Sequence, residues 1–133
     1  MSQENVENVR RAIDAFSERD AELAATFATT DFEWFPAMPA AVEREGYKGP
    51  EGVGMYLRDV LDTWEELRLL PDQFRDLGDR VVMLGRMAGR GLSSGVGVDA
   101  PIGMVFECRD GKISRIHSLL DHADALKAVG LAE

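Results

Sequence analysis

The sequence has 133 residues, with 24 Asp or Glu against 15 Lys or Arg, and its formal net charge is −9. This acidic balance disfavours nucleic acids and anionic membranes as partners, because both attract basic surfaces. The single cysteine, Cys108, excludes an intrachain disulfide, and no second Cys or paired His stands at metal-ligand spacing. We therefore expect one domain over residues 1–133, without metal, cofactor or membrane span, in the reducing cytoplasm.

The N-terminal quarter predicts two helices and a strand. Apolar residues recur at helical spacing from Val6 to Phe16, so a first helix is predicted to end near residues 17–19. Asp20 is a good N-cap for a second, shorter helix. The aromatic segment 31–36 ends in proline and predicts a strand.

A loop and a third helix follow. Residues 36–49 contain prolines and glycines without a clear period, which predicts a loop that forms a lid or a pocket rim. Residues 49–51, Gly-Pro-Glu, predict a helix start, because proline is tolerated in the first turn and an acid complements the helix dipole. Val53, Leu57 and Val60 then form its buried stripe.

Two extended segments come next. Residues 66–77 predict an edge strand with a bulge, because Pro71 interrupts the alternation and cannot donate a hydrogen bond. Residues 80–91 predict the following strand. Gly85 and Gly89 share one face of it, so either the sheet bends there or another group approaches closely.

The C-terminal third predicts a hairpin and a helix. Residues 110–111, Asp-Gly, separate two apolar runs, which indicates an antiparallel pair of roughly 96–108 with 113–120. Asp121 is the predicted N-cap of a last helix, with His122 as an exposed residue of its first turn.

Helices, one strand, a run of antiparallel strands and a terminal helix together indicate the α+β class, with helices on one face of a bent sheet. Neither face of the predicted strands is clearly polar: in residues 80–90 both parities carry apolar side chains. A half-solvated antiparallel sheet would alternate cleanly, so we expect both faces to be covered. Our hypothesis is that helices cover one face and a second copy of the chain covers the other.

Several stretches stand in a recognisable order along the chain. They are NVENVRRAIDAF (5–16), ATTDFEWFP (28–36), YKGPEGV (47–53), DLGDRVV (76–82), VDAP (98–101) and RDGKISRI (109–116), followed by Leu120-Asp121. In these stretches the chain resembles the SnoaL-like branch of the nuclear transport factor 2-like superfamily. The resemblance implies a curved antiparallel sheet that forms a cone wrapped by the N-terminal helices, a pocket inside it, and homodimerisation through the outer sheet face.

The catalytic residues of well-known members of this superfamily are not present at the matching positions of this chain. Ketosteroid isomerases use a tyrosine and two acids at positions that here hold approximately Ala12, Phe35 or Pro36, and Gly103. None of these side chains can move a proton or stabilise an oxyanion. Epoxide hydrolases of this fold need an Arg-x-Asp pair, whereas residues 97–99 read Gly-Val-Asp. Both reactions are therefore disfavoured.

Two residues remain candidates for acid–base catalysis. Asp99 lies on the strand parity of Gly103, which the resemblance places inward, so it is a candidate pocket carboxylate; the alternative is an acid near a strand end that faces water. His117 is one of two histidines, the residue type most used for acid–base catalysis, but its parity points it away from the pocket, toward a dimer face or a cross-strand carboxylate. It becomes a catalytic candidate if the register turns it inward.

The sequence also yields a set of candidate pocket residues, although aromatic side chains at such spacings serve equally well as core. They are Trp34, Tyr47, Tyr56, Leu57, Met83, Met87, Gly103, Ile116, Ser118 and Leu120. We predict a SnoaL-like protein that binds a small apolar or polycyclic molecule in a largely apolar pocket. The alternatives are an acid–base enzyme of the polyketide cyclase or isomerase type, and a non-catalytic dimeric association module whose cone is filled by its own side chains.

Overall fold

The computed structural model describes residues 2–35, 47–92 and 95–130, in which four helices pack against one six-stranded sheet. The helices are α1 (Ser2–Ser17), α2 (Ala21–Ala25), α3 (Gly49–Thr63) and α4 (His122–Ala128). The strands are β1 (Ala28–Phe35), β2 (Tyr47–Lys48), β3 (Trp64–Asp76), β4 (Arg80–Gly91), β5 (Gly97–Arg109) and β6 (Lys112–Leu119). The predicted α+β class is confirmed, while most of the predicted lid, 36–46, lies outside the described residues.

The strand order in the sheet is β2-β1-β6-β5-β4-β3. The run from β3 to β6 is antiparallel throughout, as predicted, but β1 pairs with β6 in parallel, so the sheet is mixed. Strand β3 stands at one end of the order, and its register with β4 shifts between Pro71 and Gln73. The predicted edge strand with a bulge is thereby confirmed.

Local signals set the ends of the elements. The Asp20 carboxylate accepts a hydrogen bond from the Leu23 backbone N–H at 3.0 Å and caps α2. Asp110 and Gly111 both have positive φ, 53° and 78°, which the tight turn between β5 and β6 requires. The Asp121 side chain accepts hydrogen bonds from the first turn of α4. All three predictions from short sequence patterns are confirmed.

The sheet bends strongly where β3 folds over β4. A Cβ atom added to Gly85 would lie 2.3 Å from the Leu70 carbonyl oxygen, and one added to Gly89 would lie 2.7 Å from that of Glu66. Because real Cβ atoms do not approach oxygen so closely, glycine is required at both positions. The close approach predicted from these two glycines is the β3 backbone itself.

The two faces of the sheet are covered by different helices. The inner face, toward α1, α2 and α3, forms the larger hydrophobic cluster, whose centre includes Val9, Phe16, Phe32, Trp34, Met83, Met104 and Phe106. The outer face packs against α4 in a second cluster of Val82, Leu84, Val105, Ala125, Leu126 and Val129. Part of the face that we expected a second copy to cover is therefore covered by α4.

His122 fastens α4 to the sheet. Its Nε2 lies 2.8 Å from the Gly85 carbonyl oxygen, and because that oxygen can only accept, Nε2 carries the proton. The residue is half-buried, so the prediction of a simple exposed position is wrong. Within the described ranges, no helix combines the length and the apolar character that crossing a bilayer would require.

Candidate functional site

An apolar cavity of about 40 Å³ lies in the inner core, between the helices α1 to α3 and the inner face of the sheet. Its described walls are Ala12, Ile13, Phe16, Ala24, Phe27, Ala28, Phe32, Trp34, Val53, Leu69, Met104, Phe106, Ile113 and Ile116. No side chain in this set is charged, and the indole N–H of Trp34 is its one strongly polar group. An ionised ligand would lose its hydration there without gaining a counter-charge.

Alternation along the strands and small residues on the helices create this space. Phe32 and Trp34 on β1, and Met104 and Phe106 on β5, point inward because side chains on one face of a strand recur every second residue. The helical walls contribute the short side chains of residues such as Ala12. The cavity thus lies between inward side chains of the sheet and helical walls that include two alanines, Ala12 and Ala24.

An aromatic group packs around Trp34. The Tyr56 ring lies 4.2 Å from the Trp34 ring between centroids, and the Phe16 ring lies 5.7 Å from each of them. Burial raises the pKa of Tyr56 to about 12, so its hydroxyl stays neutral at physiological pH. The Trp34 Nε1 is buried and has no hydrogen-bond partner among the described residues.

A buried polar pair lies beside this aromatic group. The Tyr47 hydroxyl donates a hydrogen bond to Oδ2 of Asp59 at 2.6 Å, and the two residues are only 3% and 9% exposed. Asp59 was not among the predicted site residues, although its place next to Val60 and three residues after Tyr56 puts it on the inner side of α3. An acid at such a position requires a donor, and Tyr47 supplies one.

The structure brings only some of the predicted pocket residues together. Two of them, Trp34 and Ile116, line the cavity. Others belong to the inner core or pack against it without lining the cavity: Tyr47, Tyr56, Leu57, Met83 and Met87. Ser118 is buried at 5% exposure, on the β6 parity of Ile116. The walls from α1, α2 and β5 were not predicted, because the sequence does not reveal which side chains meet across the core.

Three predicted positions are wrong. A Cβ atom on Gly103 would lie 2.4 Å from the Cβ of Ala125, so Gly103 underlies α4 on the outer face and not the cavity. Asp99 shares the parity of Gly103, as predicted, but that parity is the outer one. Its carboxylate pairs with Arg86 at 2.7 Å, and its side chain is 63% exposed. Leu120 follows the end of β6 and is 41% exposed.

His117 points outward, as its parity predicted, and is exposed. Its ring lies 6.0 Å from that of Phe35 between centroids. Val105 is its cross-strand partner, and six positions of β5 separate Val105 from Asp99, a distance of ~20 Å. The structure therefore does not bring the two catalytic candidates together, and their catalytic role stays a prediction.

A second, polar cleft of about 490 Å³ lies where α1 begins, between the β3–β4 and β5–β6 turns. Cys108 lies in it, and burial, with Asp79 and Asp76 nearby, raises the pKa of this thiol to about 11. A protonated thiol is a poor nucleophile, so Cys108 is not suited to covalent catalysis at neutral pH. In the described part of the chain, no three His, Cys, Asp or Glu side chains are placed to hold a metal ion.

Comparison with known proteins agrees with this geometry. The family model of the SnoaL-like domain matches residues 9–116, and the chain therefore belongs to the SnoaL-like family. None of the curated proteins matches this chain significantly.

Solved structures share the fold over nearly the whole chain. One is an NTF2-like protein of unknown function from Burkholderia pseudomallei K96243, with 23% identity, coverage of 96% of this chain and 98% of that one, and a TM-score of 0.79. TerC, co-crystallised with polyporic acid, has 25% identity, coverage of 93% and 96%, and a TM-score of 0.78. A protein with a ketosteroid isomerase-like fold from Catenulispora acidiphila DSM 44928, in complex with trimethylamine, has 15% identity, coverage of 94% and 93%, and a TM-score of 0.76.

Proposed function

We propose that this SnoaL-like protein binds a small, neutral, largely apolar organic molecule in the inner-core cavity. The observation that carries the proposal is the composition of the described walls, which are apolar apart from one indole N–H. Such a surface favours a ligand that gains from leaving water and disfavours a charged one. The co-crystallisation of the similar protein TerC with polyporic acid supports small-molecule binding as the class of function.

The volume of the cavity limits what binds without movement. Its 40 Å³ is enough for a few water molecules, whereas a cavity of about 150 Å³ accommodates benzene. A single-ring ligand therefore requires wall side chains to move, and a polycyclic ligand requires a larger displacement. Met104 is unbranched and adapts readily. Ala12 and Phe27 are the partly exposed wall residues, so we place the entrance on the α1–α2 side.

Filling the cavity from this side tests the proposal. Ala12 and Ala25 are both partly buried helix residues that pack against the inner core, but only Ala12 lines the cavity. We expect toluene, titrated calorimetrically, to bind the native protein and to bind Ala12→Leu at least tenfold more weakly. Ala25→Leu is the matched control and should change the affinity less than twofold. A native protein that binds no toluene, or equal loss in both variants, would contradict cavity binding.

Acid–base catalysis of the cyclase or isomerase type stays a separate proposal. What supports it is the exposed position of the His117 imidazole on the outer face of β6. If Asp99 or His117 carries the reaction, Asp99→Asn or His117→Gln should lower turnover of a cyclisable polyketide substrate by at least a hundredfold. Unchanged turnover in both variants would exclude these residues.

We also propose that the chain forms a homodimer through the part of the outer sheet face that α4 leaves uncovered. Leu70, 45% exposed, and the ring of Phe35 are apolar groups on that part of the sheet. Sedimentation should give twice the 14.7 kDa of one chain, and a mass near one chain would refute the dimer. A cytoplasmic location stays a prediction that cell fractionation can test, and it is compatible with the free thiol of Cys108.

A further inference from the structure

We propose that the Trp34 indole N–H is the hydrogen-bond donor of the ligand site, and that the ligand therefore carries one neutral acceptor, such as a ketone or quinone carbonyl, on an otherwise apolar frame. This inference rests on the proposed binding function and adds a chemical requirement to it.

The indole nitrogen is an exception to the pairing of buried polar groups. Trp34 is 6% exposed, and its Nε1 has no hydrogen-bond partner among the described residues. Leaving a buried donor without an acceptor is unfavourable, and native structures rarely do so without a functional reason. The neighbouring Tyr47 hydroxyl, by contrast, donates to Asp59. We place this N–H on the cavity side of the ring, where an acceptor that enters the cavity would remove a penalty already present in the empty protein.

The position of the ring makes the donor specific. Trp34 lines the cavity, and three rings pack around it, with centroids at 4.2 Å for Tyr56, 5.7 Å for Phe16 and 6.4 Å for Phe32. These contacts fix the orientation of the indole ring. A fixed N–H donor favours ligands whose acceptor atom lies within hydrogen-bond distance of it.

The other residues of the cavity wall limit which polar groups the ligand can carry. The other described wall residues offer neither a strong donor nor a side-chain acceptor. A ketone or ester therefore leaves no polar group unsatisfied, whereas an alcohol or amine would bury its own hydrogen without a partner. A carboxylate would add an uncompensated charge. The matching ligand class is a neutral carbonyl compound.

Acetophenone and α-methylstyrene form a matched pair of probes, because a C=CH2 group replaces the C=O in a molecule of nearly the same shape. Opening the cavity for either probe demands the same movement. After correction for their different partitioning from water into hydrocarbon, we expect acetophenone to bind about fivefold to tenfold more tightly to the native protein. Trp34→Phe should abolish that preference.

Nuclear magnetic resonance of the native protein provides a second measurement, which does not depend on the variant folding. The chain has two tryptophans, and Trp64 does not line the cavity, so its indole signal is an internal control. Acetophenone should move the Trp34 indole proton downfield, α-methylstyrene should not, and neither should move that of Trp64. If both probes bind without a preference and without the shift, the donor role is overturned while cavity binding stands. If neither binds, both proposals fail.

Discussion

Replacing Gly103 by alanine tests the contact that joins α4 to the sheet. The added Cβ would lie 2.4 Å from the Cβ of Ala125, well inside a normal carbon–carbon contact of ~3.5–4.0 Å. Both atoms are attached directly to backbone, so no rotamer change relieves the clash. We expect α4 to move outward by roughly 1 Å, weakening its packing on Val82, Leu84 and Val105.

Overpacking of this kind destabilises by about 1–3 kcal/mol. For a chain of this length, 1 kcal/mol corresponds to a change in melting temperature of about 3–5 °C, so Gly103→Ala should melt about 3–15 °C lower. Gly54→Ala is the matched control, because nothing lies within 4 Å of its added Cβ in the middle of α3. That variant should be more stable by about 0.5–1 kcal/mol, since alanine favours helix over glycine.

A double-mutant cycle measures the contact directly. It compares the urea unfolding of Gly103→Ala, of Ala125→Gly and of the double variant that carries both changes. Because Ala125→Gly removes the opposing methyl group, the double variant should be more stable than the sum of the single changes by at least ~1 kcal/mol. A Gly103→Ala variant as stable as the native protein, or strict additivity in the double variant, would refute the packing argument.

Two further predictions follow from shifted pKa values. Cys108 should react with iodoacetamide at pH 8 about 100-fold more slowly than a free cysteine. The reason is that burial, and to a lesser extent the charge of Asp79, raises the pKa of its thiol from 9.0 to about 11. A rate near that of a free thiol would contradict the raised pKa. Burial likewise raises the pKa of Tyr56 from 10.0 to about 12, so its stabilising contribution is complete below pH 10 and is lost as pH rises through 12. At pH 11 the free energy of unfolding should have fallen by roughly 1.4 kcal/mol more in the native protein than in Tyr56→Phe, and parallel pH profiles would show that Tyr56 is not buried as described.

The elements that the sequence predicted correctly are those with a local cause. The cap at Asp20, the turn at residues 110–111 and the cap at Asp121 each depend on side chains and backbone within a few residues. The parallel pairing of β1 with β6 has no such signal, because the two strands are far apart in sequence. Only the packing of the whole chain selects that neighbour.

The prediction that Asp99 faces the pocket was wrong for a similar reason. Strand periodicity correctly placed Asp99 and Gly103 on a common face, but periodicity does not determine which face of the sheet is the inner one. On β5 the two parities are equally apolar at Met104 and Val105, because one enters the inner core and the other packs under α4. The cavity was also beyond sequence reasoning, because its size depends on where short and long side chains meet.

The long outer edge of β3 also bears on how the protein avoids aggregation. A thirteen-residue strand at the end of a sheet presents a row of backbone groups that could pair with another extended chain. Pro71 lacks an N–H, and the bulge beside it breaks the regular spacing of the others. The missing donor and the irregular spacing thus make this edge a poor template for fibril growth.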